Sequence, residues 1–284
     1  MIRRMTQGDI PAAMRLKETA GWNQTEQDWR NLLAIEPEGC WLYEAGQPPP
    51  GTVAGSTTIV CYGRALAWIG MVLVLPEFRR QGIARQLMEH ALRFAEDRGV
   101  QRVALDATAA GQPLYRRLGF EDETPIERWE GIAPATSGNA DGEGLRPGAG
   151  THLEQMANLD RLACGVDRRI LIERLVNTAP EDCWFSRGGY LLARPGSNAR
   201  FLGPCVAEEP EAARRLLRAL FARYPGHPFY WDLLPENRAA VELAVDLGFQ
   251  RARSLTRMSR PAVSGGAARP RSSWQFATAG FEYG

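Results

Sequence analysis

Two short segments carry residue types whose spacing suits phosphate binding and proton transfer. The first spans residues 74–84, Val-Leu-Pro-Glu-Phe-Arg-Arg-Gln-Gly-Ile-Ala, where an apolar strand gives way to two arginines, a glycine and a long helix. The unpaired N–H groups and the positive dipole end of a helix N-terminus attract anions. Gly82 lets the backbone approach a phosphate with no Cβ in the way, and Ala84 is nearly as small. This segment predicts a phosphate-binding loop, and an ordinary strand-to-helix turn with surface arginines is the alternative.

The second segment is residues 114–120, Leu-Tyr-Arg-Arg-Leu-Gly-Phe, which reads as a short helix, a glycine stop and the start of a strand. Taken alone, this segment is a weak signal, because Tyr115 could equally be a half-buried tyrosine of the core.

The elements around these segments alternate between strands and helices. Apolar patterns and turn residues predict strands over 2–5, 40–43, 52–62, 66–74 and 103–106, helices over about 82–98 and 113–118, and earlier helices after Asp9 and from near Thr25. In the second half the same signals predict helices over about 153–178, 210–224 and 236–247. They predict strands over 183–187, 190–194, 200–206, 229–233, 250–259 and 275–281. The order indicates an α/β (α+β) fold.

Composition and charge set the broad class. The 284 residues suit about two domains, and residues 131–150, rich in Ala, Pro, Ser and Gly, read as a linker between domains 1–130 and 151–284. A net charge of +1 argues against holding nucleic acid or anionic membrane by bulk charge. Five scattered cysteines fit neither a disulfide framework nor a zinc site, and no signal peptide or membrane-length apolar run is present, so we expect a cytoplasmic protein without a metal.

The second half repeats the first in order but not in chemistry. Aligning Gly248-Phe249 with Gly119-Phe120 places residues 208–213, Glu-Glu-Pro-Glu-Ala-Ala, opposite residues 79–84. Three carboxylates, no glycine and a proline without an N–H would repel a phosphate. Ala244 stands where the first half has Tyr115. We expect a duplicated fold whose second copy has lost the phosphate loop and the tyrosine.

Together, the loop and the tyrosine segment resemble the GNAT acetyltransferase family, whose (Arg/Gln)-x-x-Gly-x-(Gly/Ala) motif is matched by Arg79, Gly82 and Ala84. The resemblance covers roughly residues 2–130. It implies two tandem GNAT-type domains, each a mixed, largely antiparallel sheet flanked by helices, the second being a degenerate accessory domain. It also implies an N-acetyltransferase that uses acetyl-CoA as acetyl donor and passes the acetyl group to a primary amine by direct attack in a ternary complex. The alternative is an acyl-CoA sensor with this fold and no turnover.

The resemblance also implies the site residues. The pyrophosphate would lie on the backbone of Arg79, Arg80, Gln81, Gly82, Ile83 and Ala84, and the pantetheine arm would lie along Met71, Val72, Leu73 and Val74, with Gly111 and Tyr115 nearby. Tyr115 also stands where the family places its general acid, and a phenol with an ordinary pKa of about 10 can protonate a thiolate of similar basicity. Many members carry an asparagine at the end of the strand before the tyrosine helix. This chain has Asp-Ala-Thr-Ala-Ala-Gly at 106–111, so asparagine-type contacts to the pantetheine are not expected.

The acceptor side is less constrained by the residues. Asp106, at the end of a central strand, is a candidate base, and a solvated strand-end carboxylate is the alternative reading. Trp22 and Asn23 lie between the first two helices and suit the lip of an acceptor pocket, although packing and turn roles would explain them too. We expect a small-molecule or peptide amine as partner, no nucleic acid, no membrane, and a monomer or homodimer.

Overall fold

A computed structural model describes residues 1–46, 51–134, 146–147, 152–261 and 271–284. The chain forms two compact units. Unit 1 comprises Met1–Glu123, Met258–Gly266 and Phe281–Gly284, and unit 2 comprises Thr124–Arg257 and Ala267–Gly280. The last four residues of the chain therefore belong to the unit built from its first half.

Unit 1 is a sheet with helices on both faces. Its elements are β1 (Ile2–Arg4), α1 (Ile10–Thr19), α2 (Glu26–Ile35), β2 (Cys40–Glu44), β3 (Val53–Tyr62), β4 (Leu66–Val74), α3 (Ile83–Asp97), β5 (Arg102–Ala107) and α4 (Gln112–Arg117). Strands β1 to β4 pair antiparallel in chain order, and β5 pairs with β4 in parallel.

The two faces of this sheet follow from the alternation of side chains along β3. A Cβ added at Gly55 would lie 3.2 Å from side-chain atoms of both Ile83 and Leu87, so this residue faces α3. Tyr62 has the opposite parity and points to the other face. Helix α3 buries a stripe at helical spacing against the sheet, namely Ile83, Leu87, Met88, Ala91, Leu92 and Ala95.

Unit 2 repeats the order of elements. They are β7 (Arg146–Pro147), α5 (Leu153–Cys164), α6 (Arg169–Thr178), β8 (Cys183–Ser186), β9 (Gly189–Arg194), β10 (Arg200–Ala207), α7 (Pro210–Arg223), β11 (Pro228–Leu233), α8 (Arg238–Asp246) and β13 (Gln275–Ala277). Strands β6 (Glu121–Ile132) and β12 (Gln250–Pro261) contribute residues to both units. Within unit 2, β10 and β11 are parallel and β8–β9–β10 are antiparallel.

The mixed, largely antiparallel α/β architecture expected from the sequence is confirmed, with two differences in detail. The single helix predicted over 153–178 is wrong, because Gly165 adopts a left-handed φ of 76° and ends α5 there. The final strand predicted over 275–281 ends at Ala277. The predicted linker, 131–150, overlaps the end of β6 and includes β7, and its remaining residues from 135 onward lie outside the described part of the chain.

No helix within the described ranges combines the length and the apolarity that crossing a membrane requires.

A buried ion pair on neighbouring strands of unit 2 supports a stability prediction. Arg128 Nε and Nη2 donate to the two carboxylate oxygens of Asp232 at 2.7 and 2.6 Å, and both side chains are buried. Removing one member of such a pair costs about 3–5 kcal/mol, because the other charge stays buried. Asp232→Ala should lower the free energy of unfolding by about that amount, measured by urea denaturation.

The matched control is Glu89→Ala, which breaks an exposed i,i+4 pair with Arg85 and should cost less than about 1 kcal/mol. Equal losses in the two variants would contradict the prediction.

Candidate functional site

The loop between β4 and α3 contains two residues with left-handed backbone conformations. Gly82 has a left-handed φ of 79°, and Arg80 has a φ of 60°, which is unusual for a residue with a side chain. Space for a Cβ at Gly82 is open, with the nearest atom 4.0 Å away. The glycine is therefore needed for its backbone conformation rather than to avoid a clash.

The start of α3 presents a run of open donors. Arg79 N–H is occupied, since it donates to Pro76 O at 3.2 Å, and the first helical bond closes from Gln86 N to Gly82 O at 3.0 Å. Between these, the N–H groups of residues 80–85 have no acceptor in the described part of the chain. The open run thus begins one residue later than the sequence predicts. The Arg79 guanidinium is turned back onto β4, where Nε donates to Val74 O at 3.1 Å.

A bulge in β4 lies next to this loop. Ser56 pairs with Leu73, whereas Thr58 pairs with Gly70, so Met71 and Val72 together oppose Thr57. Met71 takes a φ of 52°, and its carbonyl accepts a hydrogen bond from Ser56 Oγ at 2.8 Å. A bulge of this kind bends the strand and redirects its edge.

Strands β4 and β5 stop pairing shortly before this bulge. Their parallel register consists of Ala67 opposite Val103 and Trp68 opposite Ala104. Beyond Trp68 the residues of β4, including the predicted Met71–Val74, no longer pair with β5. Their backbone groups on that side are available to an extended ligand.

Tyr115 and Gly111 are brought together at the start of α4. A Cβ at Gly111 would lie 2.7 Å from Tyr115 Cε2 and 3.2 Å from its hydroxyl, so the ring lies across the glycine. The hydroxyl has no hydrogen-bond partner among the residues that the structure describes. Burial raises the pKa of Tyr115 to about 12. At neutral pH the phenol therefore carries its proton.

Asp106 and the acceptor-lip residues lie on other elements of unit 1. Asp106 is half-buried near the end of β5. Trp22 is half-buried and Asn23 is buried at 4% exposure in the loop between α1 and α2. Both helices contact β3.

The last four residues, Phe281–Gly284, also reach this part of unit 1, a contact that no sequence motif indicates. Trp68 Nε1 donates to Phe281 O at 2.9 Å, and Gln24 Nε2 donates to the Glu282 carboxylate at 2.7 Å. The available signal was Gly70, because a glycine inside an apolar strand often marks a close approach of another backbone.

Other acidic residues, in and beyond the region of the α1–α2 loop, have structural roles. Asp28 caps α2 by accepting from Thr25 N at 2.7 Å, and Glu26 pairs with Arg30 on the surface. In unit 2, Asp160 forms a buried ion pair with Arg168 at 2.8 Å. Across the described ranges, no group of His, Cys, Asp and Glu side chains is arranged to hold a metal ion.

Unit 2 differs from unit 1 both in the loop that leads into its long helix, α7, and in the gap beside its strand β10. Helix α7 starts from Glu209 in an extended conformation, with Pro210 as its first residue, and Ala244 is fully buried in α8. Strand β13 pairs with β10 beyond Leu202, the last β10 residue paired with β11. Thr278 N donates to Asp232 O at 2.9 Å. The gap corresponding to the one beside β4 is therefore filled by the chain itself.

Comparisons with known proteins match each half of the chain to a model of the same family. A model of the acetyltransferase (GNAT) family matches residues 11–120, and a model described as an acetyltransferase (GNAT) domain matches residues 156–269. The uncharacterized N-acetyltransferase YitH of Bacillus subtilis (strain 168) is 24% identical over 251 residues, covering 85% of this chain and 85% of the relative.

Two further proteins are similar to this chain, one in sequence over a quarter of its length and one in structure over all of it. The ribosomal protein bS18-alanine N-acetyltransferase of Escherichia coli (strain K12) is 38% identical over 73 residues, which are 25% of this chain and 47% of the relative. A crystal structure of a protein from Pyrococcus horikoshii covers 100% of this chain and 95% of its own, with a TM-score of 0.82 at 22% identity. The last similarity shows that the two-unit fold is shared.

The raised pKa of Tyr115 supports a prediction about its ionisation. The folded-state pKa of about 12 exceeds the ordinary value of 10, so burial of the neutral hydroxyl stabilises the fold at lower pH. That contribution is fully present below about pH 10 and is lost as the pH rises toward 12. Between about pH 10 and 11, the phenolate absorbance of the wild type and of Tyr115→Phe should therefore coincide. A larger phenolate signal in the wild type would show that Tyr115 ionises normally.

Proposed function

The chain belongs to the GNAT acetyltransferase family, with one matching domain in each half, and on that premise we propose that unit 1 is an acetyl-CoA-dependent N-acetyltransferase acting on a primary amine. The observation that carries this proposal is the run of open N–H donors from Arg80 to Arg85 beside the gap between β4 and β5. At the equivalent described positions of unit 2, β13 pairs with β10 where the gap would be, and Pro210 removes an N–H at the start of α7. We assign it an accessory role without catalysis.

The residues present fit acetyl-CoA. The N–H groups of residues 80–85 and the dipole of α3 would hold the pyrophosphate, with Gly82 permitting the close approach. The edge of β4 from Met71 to Val74 would pair with the pantetheine amides as an added strand. When bound, acetyl-CoA supplies an activated acetyl thioester.

Tyr115 is proposed to handle the proton at the leaving sulfur. Its hydroxyl is protonated at neutral pH and makes no hydrogen bond to a described residue, so Oη can donate to a thiolate. A direct attack by the amine in a ternary complex needs no covalent enzyme intermediate. An acyl-CoA sensor would need no such acid, and the retained Tyr115 therefore favours the enzyme.

The acceptor side is proposed to be formed by the α1–α2 loop, with Trp22 and Asn23 as contacts. Asp106 is proposed as the base that takes the proton of the acceptor ammonium, from its half-buried place near the end of β5. The similarity to an alanine N-acetyltransferase makes the α-amine of a peptide beginning with alanine a first acceptor to test, beside small amines.

The first test concerns the acid. Tyr115→Phe should lower kcat by about 100-fold or more, because general acid catalysis contributes that much, while leaving the affinity for acetyl-CoA nearly unchanged. Free thiol release with an amine panel that includes the alanyl peptide measures kcat, and calorimetry measures affinity. Unchanged turnover would remove Tyr115 from this role. Tight acetyl-CoA binding by the wild type with no thiol release from any amine would instead support the sensor.

The second test concerns the phosphate loop. The wild type should bind one acetyl-CoA per chain, and Gly82→Glu should bind none, because the carboxylate repels the pyrophosphate. Gly226→Glu is the matched control, since Gly226 has a φ of 77°, open space for a Cβ and a place in unit 2. The control should bind as the wild type does. Two acetyl-CoA molecules per chain, or normal affinity in Gly82→Glu, would contradict the assignment.

A further inference from the structure

The last four residues, Phe281–Gly284, form a strap across one face of the unit 1 sheet. Tyr62 Oη donates to Tyr283 O at 2.7 Å, and Trp68 Nε1 donates to Phe281 O at 2.9 Å. A Cβ added at Gly284 would lie 2.5 Å from Trp68 Cε3, so the terminal residue packs directly on the indole. Side chains of β3 and β4 thus fix the strap at both of its ends.

The centre of the strap lies beside the bulge. A Cβ added at Gly70 would lie 2.9 Å from Glu282 Cα and 3.0 Å from its carbonyl oxygen, so no larger residue could stand there without moving the strap. Gly70 immediately precedes Met71, the residue of β4 with a left-handed φ. The strap therefore holds the strand at the point where its direction changes.

The other side of the strap holds the α1–α2 region. Gln24 Nε2 donates to the Glu282 carboxylate at 2.7 Å, and Tyr283 Oη donates to Asp28 O at 3.2 Å. Gln24 directly follows Trp22 and Asn23, and Asp28 caps α2. Glu282 is 2% exposed and Gln24 is 7% exposed, so their bond is shielded from water. Such a bond is harder to replace by solvent.

From these contacts we propose that Glu282 is a positioning residue for the acceptor site of unit 1. By holding Gln24, it fixes the loop that carries Trp22 and Asn23 at a set distance from the Met71 bulge. The inference rests on the proposed function and adds the residue that sets the geometry of acceptor binding. In this role Glu282 acts through Gln24 rather than on the substrate.

The test compares Glu282→Ala with Glu282→Gln. The alanine variant loses the acceptor for Gln24 Nε2, so KM for the alanyl peptide should rise about tenfold or more while the acetyl-CoA dissociation constant stays within about twofold. The glutamine variant keeps a carbonyl oxygen for that bond and should restore KM to near the wild-type value. Its profile of kcat/KM against pH should overlay that of the wild type.

Hydrogen exchange gives a second readout that needs no acceptor. In Glu282→Ala, the amides of residues 21–25 should exchange faster, whereas those of α3 should not change. Gln24→Ala should produce the same pattern, and the double variant should be no worse than either single one. Glu18→Ala, an exposed carboxylate on α1, is the matched control and should behave as the wild type.

Two results would overturn the inference. One is a glutamine variant as impaired as the alanine variant with an altered pH profile, because the carboxylate would then be a base. The other is unchanged exchange at residues 21–25 in the alanine variant. If the wild type acetylates no amine, the proposed function fails, and the exchange experiment still tests the strap.

Discussion

The arrangement of unit 1 depends on the point where β4 stops pairing with β5. A parallel pair that continued past Trp68 and Ala104 would use the β4 edge for its own hydrogen bonds. The bulge at Met71 and the separation of the strands leave that edge open instead. The proposed cofactor site uses this edge, the loop that follows β4 leads into α3, and the strap holds the residue before the bulge.

In unit 2 the corresponding gap is occupied by a strand of the same chain. Its strand β10 also has a register shift, between Leu202 and Cys205, so Gly203 and Pro204 together oppose Leu192. Here β13 pairs with β10, and a Cβ at Gly203 would lie 2.0 Å from Thr278 O. The chain supplies its own strand where a ligand would otherwise pair. The change of the loop to three glutamates and a proline is consistent with a cleft that is already filled, since no anion needs to be held there.

Much of the fold could be predicted from sequence because its signals are local. Apolar spacing and Gly82 predict helix α3 over about 82–98, and it spans Ile83–Asp97. The apolar pattern alone predicts one helix where Gly165 divides the chain into two. The loop with the open N–H groups can be located from sequence because it is contiguous. Its first free donor could not be predicted, because whether Arg79 N–H is occupied depends on the turn at Pro76.

The strap illustrates the kind of feature that a sequence hides. Its bond from Gln24 to Glu282 joins residues 258 positions apart, and neither residue belongs to a motif. Only Gly70 signals it, and that signal does not name the partner. The same terminal segment supplies β13 to unit 2 and the strap to unit 1. A chain cut near residue 131 would therefore lose part of unit 1 along with unit 2. This dependence gives a physical reason for both halves to be kept in one chain, because unit 1 includes residues Phe281–Gly284, which follow the residues of unit 2 in the sequence.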